Sequence, residues 1–134
     1  MDATPLDTAR AATAGAGKPP LGERPLIAPD QARELADLYK VLANDTRLRL
    51  LHALARDGET CVTDLAAAVG MRPQAVSNQL QRLLDRRILA TRRDGTRIFY
   101  RIADPCVPSL LDLGLCLLEE TGSQPLDSSA KGGT

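Results

Sequence analysis

The sequence predicts one mainly α-helical domain that carries a small β-hairpin. Three observations lead to this prediction. The chain has 134 residues, of which 43% are apolar, and this is enough for one hydrophobic core but not for two ordinary domains. Apolar residues recur at intervals of three and four across residues 30–87, as they do on the buried face of a helix. After residue 87 the pattern changes to two short β-rich segments, 88–93 and 97–102, that flank a turn.

The first two helices follow from capping residues and apolar spacing. The first is predicted to begin with Asp30 as its N-cap, and Asn44 and Asp45 interrupt it. The second is predicted over about residues 45–56 and is closed by Gly58. The residues expected on the buried faces are Leu35, Leu38, Tyr39 and Leu42 in the first helix and Leu48, Leu51 and Leu54 in the second.

The next two helices are separated by a short turn. Thr60 is the predicted N-cap of a third helix that runs to Val69 and stops at Gly70. Pro73 suits the first turn of a fourth helix. The predicted buried residues of the fourth helix are Val76, Leu80, Leu83 and Leu84.

A hairpin and a last helix complete the domain. Asp94, Gly95 and Thr96 form the predicted hairpin turn, because glycine accepts the positive φ that such turns demand. Asp104 and Pro105 open the last helix, whose apolar run over residues 110–118 predicts burial of both its faces.

The two ends of the chain differ from its middle. Residues 1–29 contain five prolines and few large apolar residues, and residues 121–134 have a similar composition. Such segments cannot bury enough apolar surface to offset the entropy of ordering them. We therefore predict a disordered N-terminal arm over 1–29, a folded domain over 30–120 and a disordered tail over 121–134.

Composition also limits the expected location. No stretch approaches the roughly 20 consecutive apolar residues that a membrane span requires. The first ten residues carry acidic side chains where a secretory signal is basic. We expect a cytoplasmic protein with no membrane partner.

Charge is distributed unevenly along a chain whose formal net charge is zero. Residues 72–101 hold eight arginines and two aspartates, a net charge of +6. Two short helices that meet at residues 70–71, a polar helix after them and a basic hairpin form the pattern of a winged helix-turn-helix, which binds double-stranded DNA. Short polar side chains match base edges, and arginines neutralise phosphates. The candidate DNA-binding residues are Arg72, Gln74, Ser77, Asn78, Gln79, Arg82, Arg92, Arg93 and Arg97.

The cysteine and histidine content argues against an enzyme. Cys61, Cys106 and Cys116 are odd in number and widely spaced, which favours reduced thiols over a disulfide framework. His52 is the only histidine, and neither CxxC nor HExxH occurs. Little is left for a zinc hydrolase, a thioredoxin-type enzyme or a Ser-His-Asp triad, so we expect no enzymatic activity.

With these motifs in place, the sequence resembles the ArsR/SmtB family of metal-responsive repressors from Glu34 to Glu120. The segments that carry the resemblance are LYKVLANDTRLRLLHAL, ETCVTDLAAAVGM and QAVSNQLQRLLDRRILATRRDGTRIFYRI. The resemblance implies a homodimer, paired through its first and last helices, that binds an imperfect palindromic operator and releases it when an inducer binds. Arg72 and Pro73 stand where the family usually has a small hydroxyl residue, so the resemblance does not transfer an operator sequence.

The family's sensing sites match this chain only in part. One type reads CVCD at the start of the third helix and takes further ligands from the N-terminal arm. This chain reads CVTD there, so Cys61 and Asp64 match but Thr63 replaces the second thiol, and residues 1–51 contain neither Cys nor His.

The second type of sensing site lies on the last helix and reads DxH, then HxxE or HxxH about ten residues later. The matching positions are Asp104, Cys106, Leu117 and Glu120, of which Leu117 cannot bind a metal. Cys116 lies one residue earlier, turned by about 100° around the helix.

The two cysteines of the last helix are the favoured inducer site. They lie ten residues apart, roughly 15 Å along one helix, so sharing an ion requires antiparallel pairing of two such helices. Thiolates without imidazole favour soft ions such as Hg(II), Cd(II), Pb(II) or As(III). A redox- or sulfide-responsive repressor with the same thiols and a zinc-responsive repressor are the alternatives. The predicted ligands are Cys106, Cys116 and Cys61, with Asp104, Glu120 and Asp64 as secondary candidates.

Overall fold

The computed structural model describes residues 18–122. Five helices and a small antiparallel sheet follow one another along the chain in the predicted order. The helices are α1 (Pro29–Leu42), α2 (Asp45–Asp57), α3 (Val62–Val69), α4 (Pro73–Asp85) and α5 (Cys106–Gly122). The strands are β1 (Thr60–Cys61), β2 (Leu89–Asp94) and β3 (Arg97–Ile102). The predicted mainly helical fold with a β-hairpin wing is therefore confirmed.

The N-terminal caps of the first two helices differ. The prediction that Asp30 caps α1 is wrong, because the N-cap is Ala28 and Pro29 is the first helical residue. Proline suits this position because the first amide of a helix has no intrahelical partner. Asn44 caps α2 with its side-chain oxygen, which accepts a 3.0 Å hydrogen bond from the backbone amide of Arg47.

The third helix begins later than predicted, because a short strand precedes it. Thr60 does not cap α3, since its hydroxyl donates to the Gly58 carbonyl at 2.6 Å. Thr60 pairs with Tyr100 of β3, and Cys61 pairs with Phe99. The sheet therefore has three strands in the order β1-β3-β2. A strand of two residues is too short to show the alternation by which strands are recognised in a sequence.

The turn between α3 and α4 has the geometry of a helix-turn-helix. Gly70 caps α3 in the left-handed conformation, with φ of 71°, which glycine adopts without steric cost. Pro73 opens α4 as predicted. Val76, Leu80 and Leu83 are completely buried and anchor α4 in the core, which leaves its polar face outward.

The hydrophobic core lies where α2, α3, α4 and the sheet meet. Its largest fully buried side chains are Leu50, Leu51, Leu65, Leu80, Leu83 and Val76. Leu51 and Leu54 are buried as predicted, but the prediction for Leu48 is wrong, because Leu48 is 39% exposed and Leu50 takes its place in the core. Leu48 instead lines a surface groove beside α5.

Helix α5 has an apolar surface that the rest of residues 18–122 leaves exposed. The exposed side chains are Leu113, Leu115, Leu117 and Leu118. Among residues 18–122, the predicted burial of both faces of α5 is therefore not observed.

The predicted tails lie only partly within the described residues. Residues 18–28 contain one 3-10 turn (Leu21–Glu23) with no buried residue, and α5 extends two residues past the predicted domain boundary. Residues 1–17 and 123–134 lie outside the description, so the disordered arm and tail stay predictions. Within residues 18–122, no helix is both long and apolar enough to cross a membrane.

Candidate DNA interface and thiol site

Helix α4 presents most of its predicted DNA-binding residues to solvent. Arg72, Gln74, Asn78 and Arg82 are exposed, and Ser77 is half-buried. Gln74 donates a 3.1 Å hydrogen bond to the side-chain oxygen of Asn78, one turn further on. This bond holds two candidate base-reading side chains side by side on the same face of α4.

Gln79 is held by the rest of the fold more than the other candidates are. Its side-chain oxygen accepts a 2.7 Å hydrogen bond from Nη1 of Arg47 in α2. The Nε of Arg47 also donates to the backbone carbonyl of Val41 at 2.6 Å. One guanidinium therefore joins the recognition helix α4 to the end of α1. Arg47 was not predicted from the sequence, because an arginine in an amphipathic helix has no local signature of a tertiary contact.

The arginines of the wing, residues 89–102, fall into two groups. Arg93 and Arg97 lie near its tip and are exposed. Among residues 18–122, neither makes an ion pair with a carboxylate. Arg92 and Arg101 instead lie beside the carboxylate of Glu59, which immediately precedes β1.

Glu59, Arg92, Phe99 and Arg101 form a compact group, the Glu59 cluster. Arg92 donates hydrogen bonds to both carboxylate oxygens of Glu59, with lengths of 2.9–3.1 Å. Its guanidinium carbon lies 5.0 Å from the centre of the Phe99 ring, within the range of cation–π attraction. The hydrogen bonds from Arg92 are the main reason that the pKa of the Glu59 carboxyl lies below its ordinary value. Glu59 was not predicted from the sequence, because strand pairing and not sequence spacing brings it to the wing.

The three cysteines lie in different environments. Cys61 is buried in the sheet, Cys106 is half-buried at the start of α5, and Cys116 is exposed further along that helix. The spacing of Cys106 and Cys116 along α5 keeps them roughly 15 Å apart within one chain. Among residues 18–122, no three Cys, His, Asp or Glu side chains are close enough to hold a metal ion.

Each cysteine of α5 has a carboxylate neighbour. Asp104 accepts a 2.8 Å hydrogen bond from the backbone amide of Cys106. A further hydrogen bond, between the Cys106 thiol and the Asp104 carboxylate, raises the pKa of the thiol above its ordinary value. The Sγ of Cys116 lies 3.8 Å from Oε2 of Glu120, one turn later. Asp64 remains beside Cys61 in the first turn of α3.

Two surface cavities adjoin α5. An apolar groove of about 520 Å³ runs between the end of α1, the start of α2 and α5. It is lined by Tyr39, Leu42, Ala43, Leu48, Arg49, His52, Leu110, Leu111, Gly114, Leu115 and Leu118. A second cavity of about 740 Å³ lies between the segment from Lys18 to Ile27, α1 and Cys106.

Comparisons with known proteins show that the chain is similar to bacterial transcriptional regulators. The family described as bacterial regulatory protein, arsR family, matches residues 44–91. The chain is 46% identical over 81 residues to a transcriptional repressor SmtB homolog of Synechocystis, a match that covers 60% of this chain and 61% of the relative. The chain spans about three fifths of the length of the first curated relatives that it matches.

Solved structures extend the similarity across the fold. The AntR antimony-specific transcriptional repressor is 67% identical, with a TM-score of 0.69, and the match covers 83% of this chain and all of that one. The homodimeric winged helix-turn-helix domain of Mb0332 from Mycobacterium bovis, a possible ArsR-family regulator, is 35% identical with a TM-score of 0.60. That match covers 72% of this chain and 92% of the domain.

Proposed function

Since the chain belongs to the arsR family of bacterial regulatory proteins, we propose that it is a transcriptional repressor that binds operator DNA as a homodimer. A thiophilic metalloid or metal ion, bound by the cysteines of α5, releases it from the operator. The observation that carries the proposal is a polar recognition helix beside an arginine-rich wing. The curated relative and the AntR structure are both named as transcriptional repressors.

The proposed DNA interface divides into base contacts and phosphate contacts. Gln74, Ser77 and Asn78 lie on α4 with donors and acceptors of the kind that read base edges in a major groove. The arginines at either end of α4 and in the wing supply positive charge for the phosphate backbone. These arginines are Arg72, Arg82, Arg92, Arg93 and Arg97.

Dimerisation is proposed to use the apolar groove and the exposed face of α5. Contiguous apolar surface of this kind marks an interaction site in soluble proteins. A homodimer places two copies of α4 on successive major grooves, which matches a palindromic operator. The Mb0332 domain, which shares the fold, is named as homodimeric.

The proposed inducer site lies across the dimer axis. Antiparallel pairing of two α5 helices would bring Cys106 of one chain near Cys116 of the other. Within one chain the two cysteines are roughly 15 Å apart and cannot share an ion. Thiolates select soft ions, and the AntR neighbour is named as antimony-specific. We therefore place trivalent Sb and As first among the inducers, before Cd(II), Hg(II) and Pb(II), with zinc last. Asp104 and Glu120 adjoin the thiols as secondary ligands.

Release would follow from linkage between the two sites. An ion that binds one dimer geometry better than another shifts the population toward it, and a coupling of about 1–3 kcal/mol is typical of allosteric proteins. The favoured geometry would hold the two recognition helices away from successive major grooves.

The test is a titration of the full, reduced chain bound to a fluorescent duplex of its own promoter. Sb(III), As(III), Cd(II), Hg(II), Pb(II) and Zn(II) are added in separate experiments, and anisotropy and ultraviolet thiolate absorption are recorded together. We expect release by a trivalent metalloid with a simultaneous thiolate band. Cys106→Ser and Cys116→Ser should each retain promoter binding and lose release.

Other outcomes have definite meanings. Release in both serine variants would contradict the thiol assignment. Release by hydrogen peroxide or polysulfide, together with indifference to every ion, would replace the metalloid with a redox signal. Failure of the reduced chain to prefer its promoter over a random duplex would contradict the repressor itself.

A further inference from the structure

We propose that Glu59 is a specificity-determining residue of the wing. In the free protein its carboxylate pairs with Arg92 and lies 3.9 Å from Arg101, so it offsets one of their two positive charges. It therefore competes with DNA phosphates for them, which lowers affinity for non-operator DNA. This inference rests on the proposed DNA-binding function and adds to it an acidic residue that acts against binding.

The geometry of the ion pair is the first support. Nε and Nη2 of Arg92 both point at Glu59, so one edge of the guanidinium is filled by a carboxylate, as in a bidentate pair. Nη1 of Arg92 lies 4.0 Å from Asp94, and Nε of Arg101 lies 3.9 Å from Oε2 of Glu59. A phosphate that approaches Arg92 must therefore displace or share a carboxylate.

The fold holds this arrangement in place. Strand β1 pairs with β3 directly after Glu59, and this holds the backbone of Glu59 next to β3. Arg92 and Phe99 are partners in the register of β2 and β3, so the ring lies under the guanidinium. Because the Glu59 side chain is only 31% exposed, it is more restricted than a freely rotating surface acid.

The pairing is selective within the wing. Arg93 and Arg97 near the tip make no such pair among the described residues, whereas Arg92 and Arg101, closer to the body of the domain, do. The tip therefore carries charge available to any duplex, and the base carries charge that Glu59 masks. A promoter held by base contacts can still bind tightly, but a random duplex depends on charge alone.

The direction and size of the effect follow from counterion release. A cation that neutralises a phosphate steepens the dependence of log affinity on log salt by about 0.9 in duplex DNA, whereas a cation already paired within the protein contributes little. Removing the Glu59 charge should therefore steepen the slope by about 0.9 for each arginine that then contacts a phosphate. Affinity for random duplex should rise severalfold at low salt.

The experiment compares Glu59→Gln with the wild-type chain and with Glu23→Gln. The Glu23 variant makes the same charge change on the exposed 3-10 turn, where Glu23 forms no ion pair with a wing arginine among residues 18–122. Anisotropy is measured on promoter and random duplexes between about 50 and 200 mM salt. We expect Glu59→Gln to gain more affinity for random duplex than for promoter and to have a steeper salt slope, while Glu23→Gln matches the wild type. In Glu59→Gln/Arg92→Ala, most of the gain should disappear.

Several results would overturn the inference. Equal gains in the Glu59 and Glu23 variants would mean that only net charge matters. Unchanged slopes in Glu59→Gln would mean that the masked arginines do not reach phosphates. Weaker binding to both duplexes would mean that Glu59 positions Arg92 for DNA instead of withholding it. A wild-type chain without promoter preference would contradict the proposed function and not this inference alone.

Discussion

The guanidinium of Arg47 donates a 2.7 Å hydrogen bond to the side-chain oxygen of Gln79, and so ties α2 to the recognition helix α4. The same guanidinium donates to the Val41 carbonyl near the end of α1. Tyr39 and Leu42, at that end of α1, line the apolar groove proposed for dimerisation. Arg47 therefore joins the backbone of the proposed dimer face to the proposed DNA-reading helix through two direct contacts.

Replacing Arg47 should weaken both the fold and promoter binding. Arg47→Met removes two hydrogen bonds of a charged, half-buried donor, which should lower the free energy of unfolding by about 1.5–3 kcal/mol. It also frees α4 to shift relative to the dimer face, so promoter affinity should fall by about tenfold or more, equivalent to about 1.4 kcal/mol. Denaturant unfolding and anisotropy on the promoter duplex measure the two effects.

A control in the same helix separates the loss of the contact with Gln79 from the loss of a positive charge. Arg56→Met removes one positive charge at the exposed end of α2, where Arg56 pairs only with its neighbour Asp57 among the described residues. It should leave promoter affinity close to wild type. If Arg47→Met and Arg56→Met reduced affinity equally, the contact with Gln79 would have no part in DNA binding.

Loss of Arg97 should reduce the salt dependence of binding. Arg97 is exposed near the tip of the wing and makes no ion pair within residues 18–122. Arg97→Ala should therefore weaken promoter binding and flatten the slope of log affinity against log salt by about 0.9. Arg92→Ala should change the slope less, because Glu59 already neutralises that charge. An unchanged slope in Arg97→Ala would show that the wing tip does not contact phosphates.

Local sequence signals predicted the five helices and the hairpin of this fold, but neither strand β1 nor the contacts between elements. Gly70, Pro73 and Gly95 act within a few residues of themselves, so the turn, the start of α4 and the hairpin were all predictable. Glu59 reaches Arg92 only because β1 pairs with β3, and Arg47 reaches Gln79 only because two helices pack. These contacts span more than thirty positions in the sequence, and no periodic pattern records them. Leu48 shows the same limit. The apolar spacing of α2 does not indicate whether a leucine lies in the core of the chain or in the groove proposed to bind a second chain.

A charged residue in the apolar groove should separate the dimer without unfolding the chain. Leu118 lines the groove and is 62% exposed in one chain, so Leu118→Asp should change the stability of the monomer little. In the proposed dimer it would bury an unpaired carboxylate, which is costly. Sedimentation velocity should show a monomer, and promoter affinity should fall because one chain contacts one half-site.

The matched control for this variant is Leu26→Asp. Leu26 is 96% exposed and does not line the groove, so the same substitution there should leave the sedimentation coefficient unchanged. A dimer that persists in Leu118→Asp would place the interface elsewhere.

A Cys61 variant tests whether the proposed inducer site uses only the two thiols of α5 or all three thiols of the chain. It is 5% exposed and packed in the sheet, opposite Phe99, whereas the other two cysteines lie on α5. An ion that Cys61 shared with either of them would have to reach a side chain that is buried in the sheet. We therefore expect Cys61→Ala to lower the free energy of unfolding by about 1 kcal/mol, because packing in the core is lost. The variant should keep the wild-type number of metal-bound thiolates, which ultraviolet absorption measures during an Sb(III) titration. A smaller thiolate band per ion in Cys61→Ala would show that Cys61 is one of the ligands.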